Sequence, residues 1–329
     1  MEHVPVIDLA AARTGGPADR QRIAARIDQA CVEIGFFAVT GHGVADAVGR
    51  DLREAAHRFF ALPADVKRRA SPADERTPRG YHALGGEALA AANDAVAPPP
   101  DLKEFYHVGP VDVGEDDYYT GRKGRQFFLP NIWPHDPPAF RGAAVTYYRT
   151  LHRLVGFLMR LTALGLGIEE TFFDDKVNRS IGTMRLNYYP RQDRAPLAGQ
   201  LRAGAHTDYG GLTILNGEDV PGGLQVLTRS GRWIDVRTAP DQLVVNIGDL
   251  LMRWTNDRWL SNMHRVVNPP LAEGRNAPRL SIAFFNHPNW DTLVECVAAP
   301  GQAKYAPVVS GDYRDLKYAK TGLAPTTVV

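Results

Sequence analysis

The stretch Gly204-Ala205-His206-Thr207-Asp208-Tyr209-Gly210-Gly211-Leu212-Thr213-Ile214-Leu215 sets a histidine and a carboxylate two residues apart, just before a short apolar alternation and with glycines on both sides. On an extended backbone, side chains two positions apart leave from the same side, so His206 and Asp208 can converge on one point at a strand end. The glycines leave room for something other than side chains. Further on, Met263-His264-Arg265-Val266-Val267 places a second histidine in an apolar, strand-like segment, where a merely solvated imidazole is out of place.

Two imidazoles and one carboxylate form the facial donor set of non-haem Fe(II) oxygenases, with coordination positions left open for a co-substrate and O2. Spacing alone leaves zinc held by the same three residues equally open. The remaining composition narrows the classes. A chain of 329 residues, 44% hydrophobic and 23% charged, can bury a substantial core. A formal net charge of +1 argues against a phosphate-backbone binder, so no nucleic-acid partner is expected. Two distant cysteines, Cys31 and Cys296, provide neither a disulfide framework nor a cysteine metal site, which fits a reducing, cytoplasmic setting. The N-terminus lacks the basic region and long apolar run of a signal peptide, and no apolar run reaches membrane-spanning length. A soluble monomer or weak homodimer with a small-molecule substrate is expected.

Along the chain, Val4-Pro5-Val6-Ile7-Asp8-Leu9 reads as a short strand, Ala18 to Ile34 as an amphipathic helix stopped by Gly35, and Phe36 to Thr40 as a buried strand. A second helix is predicted from Ala45 to Phe60. Residues 69–100 and 109–138 are rich in Pro, Gly and Asp and read as loops, interrupted by a strand around Asp101 to His107. The broad apolar face of Tyr147 to Leu166 predicts the strongest helix, one that backs a sheet. Beyond it, short apolar runs recur at 183–189, 212–215, 223–227, 243–247, 265–268 and 279–285. Even spacing of short strands points to a mainly β architecture with supporting helices, a jelly roll. The expected organisation is an N-terminal α/β extension over residues 1–100 packed on a core over 101–329, with helix 147–166 and a C-terminal helical tail, as one integrated unit.

Arg279 and Ser281 share a face of the last strand, and an arginine fork beside a hydroxyl suits a carboxylate. Asn187 and Tyr189 likewise share a face, presenting an amide and a phenol. Phe105, Tyr106, Phe128, Phe285 and Leu102 are candidate walls of a substrate pocket, and the segment from Tyr305 to Lys320 is a candidate lid or packing helix.

Taken together, Asn187-Tyr188-Tyr189-Pro190, His206-Thr207-Asp208, Gly222-Gly223-Leu224-Gln225-Val226, Asn246-Ile247-Gly248-Asp249, His264-Arg265-Val266-Val267 and Arg279-Leu280-Ser281-Ile282-Ala283-Phe284-Phe285 closely resemble the isopenicillin N synthase-like family of Fe(II)/2-oxoglutarate-dependent oxygenases. The N-terminal strand, Gly35-Phe36-Phe37, His42-Gly43-Val44 and Asp101-Leu102-Lys103-Glu104 extend the resemblance over nearly the whole chain. The resemblance implies a double-stranded β-helix with an N-terminal α/β extension. It makes His206, Asp208 and His264 the iron ligands and catalytic centre. Arg279 and Ser281 would grip the distal carboxylate of 2-oxoglutarate, with Asn187 and Tyr189 at the co-substrate end.

The implied reaction consumes 2-oxoglutarate and O2, releases succinate and CO2, and most often hydroxylates a small-molecule metabolite. Some relatives of this kind dispense with 2-oxoglutarate, namely isopenicillin N synthase itself and the aminocyclopropane-carboxylate oxidases, but the Asn-x-Tyr arrangement looks like that of the 2-oxoglutarate users. A non-catalytic cupin-like binding module is the remaining alternative. The long separation of His264 from Arg279, filled by Pro269 to Asn276, resembles bacterial members. Amino acid, peptide-like and aromatic substrates all stay open.

Overall fold

The computed structural model describes residues 3–92, 98–271, 276–297, 299 and 301–320. Two sheets carry the architecture. The larger contains β1 (Val6–Asp8), β2 (Phe36–Thr40), β3 (Gly80–His82), β4 (Glu104–Val108), β5 (Thr183–Tyr189), β7 (Leu212–Gly217), β10 (Leu243–Ile247) and β12 (Arg279–Phe285), in the spatial order β1-β2-β10-β7-β12-β5-β4-β3. The smaller contains β6 (Ala203–His206), β8 (Leu224–Leu227), β9 (Trp233–Val236) and β11 (His264–Val266), in the order β6-β11-β8-β9. A two-stranded ribbon, β13 (Leu293–Val294) with β14 (Val308–Val309), completes the set among the described residues.

This corrects the expectation of a mainly β jelly roll or double-stranded β-helix. The sheets are open: β1 and β3 are free edges of one, β6 and β9 of the other, and among the described residues no strand closes them on each other. Helices hold at least as much of the chain as strands, led by Ala139–Gly165, Pro17–Glu33 and Asp46–Phe60. The fold is therefore mixed α/β. Regular spacing of short strands counts them but says nothing of their partners. Here β2 pairs antiparallel with β10, and β4 with β5, so strands from the first third of the chain lengthen the sheet at both sides.

Period-two alternation divides the large sheet into two faces. Met184, Leu186, Leu212, Ile214, Val245, Ile247, Leu280, Ile282 and Phe284 point to the helices and join Leu151, Val155 and Leu158 in the main core. Burying each such side chain stabilises the fold by about 1.5–3 kcal/mol. The intervening residues Arg185, Asn187, Tyr189, Thr213, Asn246, Arg279 and Ser281 line the cavity on the other face. The helix Ala139–Gly165 starts two turns earlier than its apolar stripe predicts, because Phe140 and Ala144 continue the buried face up to Pro138.

Sequence boundaries hold for β5, β10 and β12, whose runs are apolar on the helix side throughout. β6 and β9 escape a reading by pattern: each is only four residues long, and β6 begins Ala-Gly-Ala. The helix Ser310–Lys320 lies within the C-terminal segment read as helical. Residues 321–329 of that tail, and 272–275 of the loop between His264 and Arg279, lie outside the described residues. Among the described residues, no helix is long and apolar enough to cross a membrane.

Candidate metal and co-substrate site

His206 is the last residue of β6 and stands directly opposite His264 of β11 in the antiparallel register. Their ring centroids are 4.3 Å apart. Asp208 lies on the loop joining β6 to β7, and its Oδ1 is 3.7 Å from His264 Nε2. One donor atom from each of the three residues lies within 4.8 Å of the other two.

Each ring nitrogen Nδ1 is already engaged. His206 Nδ1 donates to the Gly204 carbonyl at 2.7 Å, and His264 Nδ1 to the Asn262 carbonyl at 3.1 Å. Those bonds select the tautomer in which Nε2 is the free lone pair. Asp208 Oδ2 accepts from Asn246 Nδ2 at 2.7 Å, which leaves Oδ1 for the site. Burial, followed by the neighbouring His264, drives the His206 pKa down to about 3, so the ring stays neutral. For Asp208, burial alone would raise the pKa; the two imidazoles, Asn246 and Thr213 outweigh it and hold the carboxyl below its ordinary value. Two imidazoles with Nδ1 turned to a backbone carbonyl and one carboxylate with Oδ1 turned to the site fit a divalent iron ion with open positions.

The loop that carries Asp208 is fastened from behind. The Asp249 amide donates to the Asp208 carbonyl at 2.7 Å, and the Asp249 carboxylate takes bonds from Thr207, Ser261 and Lys317. Gly210 and Gly248 make this possible: a Cβ on Gly248 would collide with the Gly210 backbone, and one on Gly210 with the Asn286 carbonyl. Only glycine permits so close an approach.

The triad opens into a cavity of about 1000 Å³, its solvent-facing mouth included. Arg279, Ser281, Tyr189 and Asn187 form one end, with Arg279 directly opposite Tyr189 and Ser281 opposite Asn187. Arg279 is 3% exposed. Its Nε donates to the Glu218 carbonyl at 3.2 Å, while Nη1 has no hydrogen-bond partner. Asn187 Oδ1 is also buried without a partner. Burial lowers the Arg279 pKa against the opposing pull of Tyr189 and the Glu218 and Asp219 carboxylates, and among the described residues no carboxylate is in ion-pair contact with it. A buried guanidinium with spare donors can take an anion.

The five aromatic and aliphatic wall candidates are placed apart. Phe285 lines the cavity. Phe105 lies beneath Arg185, whose guanidinium is 4.5 Å from the ring centroid. Tyr106 packs on Phe59 and Phe140 in the main core, and Phe128 joins Phe127 and Ile181 in a separate cluster. Leu102 is tied through its amide to the Leu201 carbonyl. Sequence reasoning assigns no role to Asn246 and Thr213 behind Asp208, nor to Arg185, His107, Lys103 and Glu87 at the far end of the cavity. For Asn246, a single amide inside Leu243-Val244-Val245-Asn246-Ile247 is the available signal.

A two-histidine, one-carboxylate centre opening into a cavity is the donor set of a non-haem iron oxygenase. The chain belongs to the 2OG-Fe(II) oxygenase superfamily, whose model matches residues 180–288, while residues 4–136 match the model of the N-terminal region of the non-haem dioxygenase in morphine synthesis. It is 35% identical over 317 residues to the 2-oxoglutarate-Fe(II) type oxidoreductase hxnY of Emericella nidulans, covering 94% of this chain and 87% of that one. It is 31% identical over 313 residues to a validamycin A dioxygenase of Streptomyces hygroscopicus subsp. limoneus, covering 93% and 83%. Among solved structures, a full-length Neurospora crassa protein in complex with alpha-KG superposes with a TM-score of 0.82 at 32% identity, covering 96% of this chain and 95% of that one. The protein is thus an Fe(II)/2-oxoglutarate-dependent dioxygenase acting on a small metabolite.

Proposed function

We propose that His206 Nε2, Asp208 Oδ1 and His264 Nε2 hold the iron, that Arg279 and Ser281 bind the distal carboxylate of 2-oxoglutarate, and that the enzyme hydroxylates its substrate. One observation carries this reading: Arg279, buried and among the described residues without a carboxylate in ion-pair contact, shares a cavity with a histidine pair whose Nδ1 atoms are both turned to backbone carbonyls. Tyr189 packs under the guanidinium, 5.6 Å from ring centroid to Cζ. Asn187 offers its amide on the same face. When bound, Fe(II) with 2-oxoglutarate and O2 supplies the oxidising power, and succinate and CO2 are released.

The chain's own work is orientation and exclusion of water. The Gly204 and Asn262 carbonyls hold the protons on Nδ1 of the two imidazoles, and Asn246 fixes the Asp208 carboxylate. Phe285 walls the substrate side. We read residues 1–100 as an extension and 101–329 as the core of one unit; the β2–β10 pairing supports that reading. Free thiols at Cys31 and Cys296 support a reducing, cytoplasmic setting, and the near-neutral charge supports small molecules rather than nucleic acid as partners.

The test is succinate release from 2-oxoglutarate with Fe(II) under O2. Wild-type protein should release succinate, and Asp208→Ala should neither retain iron nor turn over. Substrate conversion without succinate would overturn the assignment.

A further inference from the structure

Arg279 reaches the cavity from the first position of β12, and Glu218, across from its neighbour Leu280, holds the root of its guanidinium. Glu218 follows directly on β7 and stands one step beyond the Gly217–Ser281 pair. In a regular antiparallel ladder, two residues of a hydrogen-bonded pair exchange both of their N–H···O bonds. The first half of that exchange is present, with the Glu218 amide donating to the Leu280 carbonyl at 3.2 Å. The second half is not made between backbones: the Leu280 amide donates to Glu218 Oε2 at 2.7 Å. The carboxylate of Glu218 thus stands in for its own carbonyl.

The carbonyl so released accepts from the Val220 amide at 3.0 Å and from Arg279 Nε at 3.2 Å. A guanidinium is planar, so a bond that fixes Nε also sets the directions of both Nη groups. Gly217 leaves the space for it, since a Cβ there would lie 2.6 Å from Arg279 Nη2. The carboxylate is itself held from outside the sheet. His57, on the helix Asp46–Phe60, donates from Nε2 to Glu218 Oε1 at 2.6 Å, and Arg53 Nη1 of the same helix lies 3.8 Å from that oxygen. Arg53 Nη2 also donates to Asn216 Oδ1 of β7 at 2.6 Å. Burial alone would raise the Glu218 pKa; the His57 and Leu280 bonds outweigh it and hold the carboxyl below its ordinary value.

We infer that Glu218 is a positioning residue for 2-oxoglutarate: its carboxylate occupies the Leu280 amide so that its carbonyl can hold Arg279 Nε, and the helix Asp46–Phe60 keeps that carboxylate in place through His57. Glu218 is not among the residues that line the cavity, so it acts through Arg279 rather than on the co-substrate. Without the side chain, the Leu280 amide would turn to the carbonyl of residue 218 to complete the ladder, and Arg279 Nε would compete for its acceptor. A helix from the first sixty residues thereby sets the affinity of an anion site at the start of β12. The inference rests on the 2-oxoglutarate reading of Arg279.

The test is calorimetric titration of 2-oxoglutarate into the Mn(II)-loaded full chain, as wild type, Glu218→Ala, Glu218→Gln, Arg279→Ala and the Glu218→Ala/Arg279→Ala double variant. Glu218→Ala should bind 2-oxoglutarate about tenfold more weakly at unchanged Mn(II) affinity. Glu218→Gln, whose amide oxygen can still accept from Leu280, should return to within about threefold of wild type. In the Arg279→Ala background, Glu218→Ala should cause no further loss, because the two residues act as one unit. Wild-type affinity in Glu218→Ala, equal losses in the Ala and Gln variants, or a tenfold loss that persists without Arg279 overturns the inference. If Glu218→Ala does not fold, His57→Ala decides: about threefold weaker binding supports the inference and unchanged binding overturns it. Unchanged affinity in Arg279→Ala alone sinks the co-substrate reading and this inference with it, whereas a loss there without one in Glu218→Ala sinks only the inference.

Discussion

Asn246 Nδ2 donates to Asp208 Oδ2 at 2.7 Å from the interior of a strand that is otherwise aliphatic. The amide occupies the cavity face of β10 opposite Thr213, while Val245 and Ile247 on either side point into the main core. An apolar residue there would take from the second carboxylate oxygen its amide donor.

Asn246→Ala is therefore expected to weaken Fe(II) or Mn(II) binding by about 10–100-fold, the usual loss when a group orienting a metal ligand is removed. Metal titration followed by electron paramagnetic resonance checks this. Unchanged affinity would show that Asp208 is oriented by the loop alone.

Glu104 tests the fold away from the site. Its Oε2 accepts from Lys67 Nζ at 2.7 Å and from Tyr81 Oη at 2.5 Å, with both charged side chains nearly buried. Glu104→Ala leaves Lys67 as an uncompensated buried cation and should cost about 3–5 kcal/mol in urea unfolding. The double variant Lys67→Met/Glu104→Leu removes both charges and should be distinctly more stable than the single one. Equal losses in the two would contradict the account.

Stability should depend on acid through the buried imidazoles of β3 and β4. Burial, followed by Arg185, lowers the His82 pKa to about 4 and carries His107 well below its ordinary value. Both groups bind protons more readily in the unfolded chain, whose histidines titrate near about 6.5. No contribution is expected above that pH. Stability should then fall as pH drops from about 6.5 toward 4, because the unfolded state takes up protons that the folded state refuses. Thermal unfolding of metal-free protein across this window measures it, and His82→Gln should flatten the slope. A level profile in the wild type would contradict the buried, neutral state of these rings.

Much of the site is legible in the chain because it is written in two-residue steps. Arg279 with Ser281, and Asn187 with Tyr189, each share a side of a strand, His206 ends β6 with Asp208 on the loop that follows, and each pair lines the cavity. Alternation does not say which face of a strand is wet. Arg185 and His107 therefore read as ordinary polar residues, although β5 and β4 are buried nearly throughout. Their partnership is a matter of register between strands far apart in sequence. Strand order is illegible for the same reason: pairing of β2 with β10 is a long-range contact with no local signature. Aromatic residues mislead differently, since Tyr106 and Phe285 are equally apolar in sequence but one serves the core and the other lines the cavity.

In the proposed function, one cavity joins the iron centre to a 2-oxoglutarate carboxylate held by Arg279. It is tested most directly by calorimetric titration of 2-oxoglutarate into Mn(II)-loaded wild-type and Arg279→Ala proteins. Removing one partner of a desolvated, charge-assisted contact typically costs about 2–5 kcal/mol, so 2-oxoglutarate should bind the variant roughly 30-fold to several thousand-fold more weakly while Mn(II) affinity is retained. Unchanged 2-oxoglutarate affinity in Arg279→Ala would contradict the account.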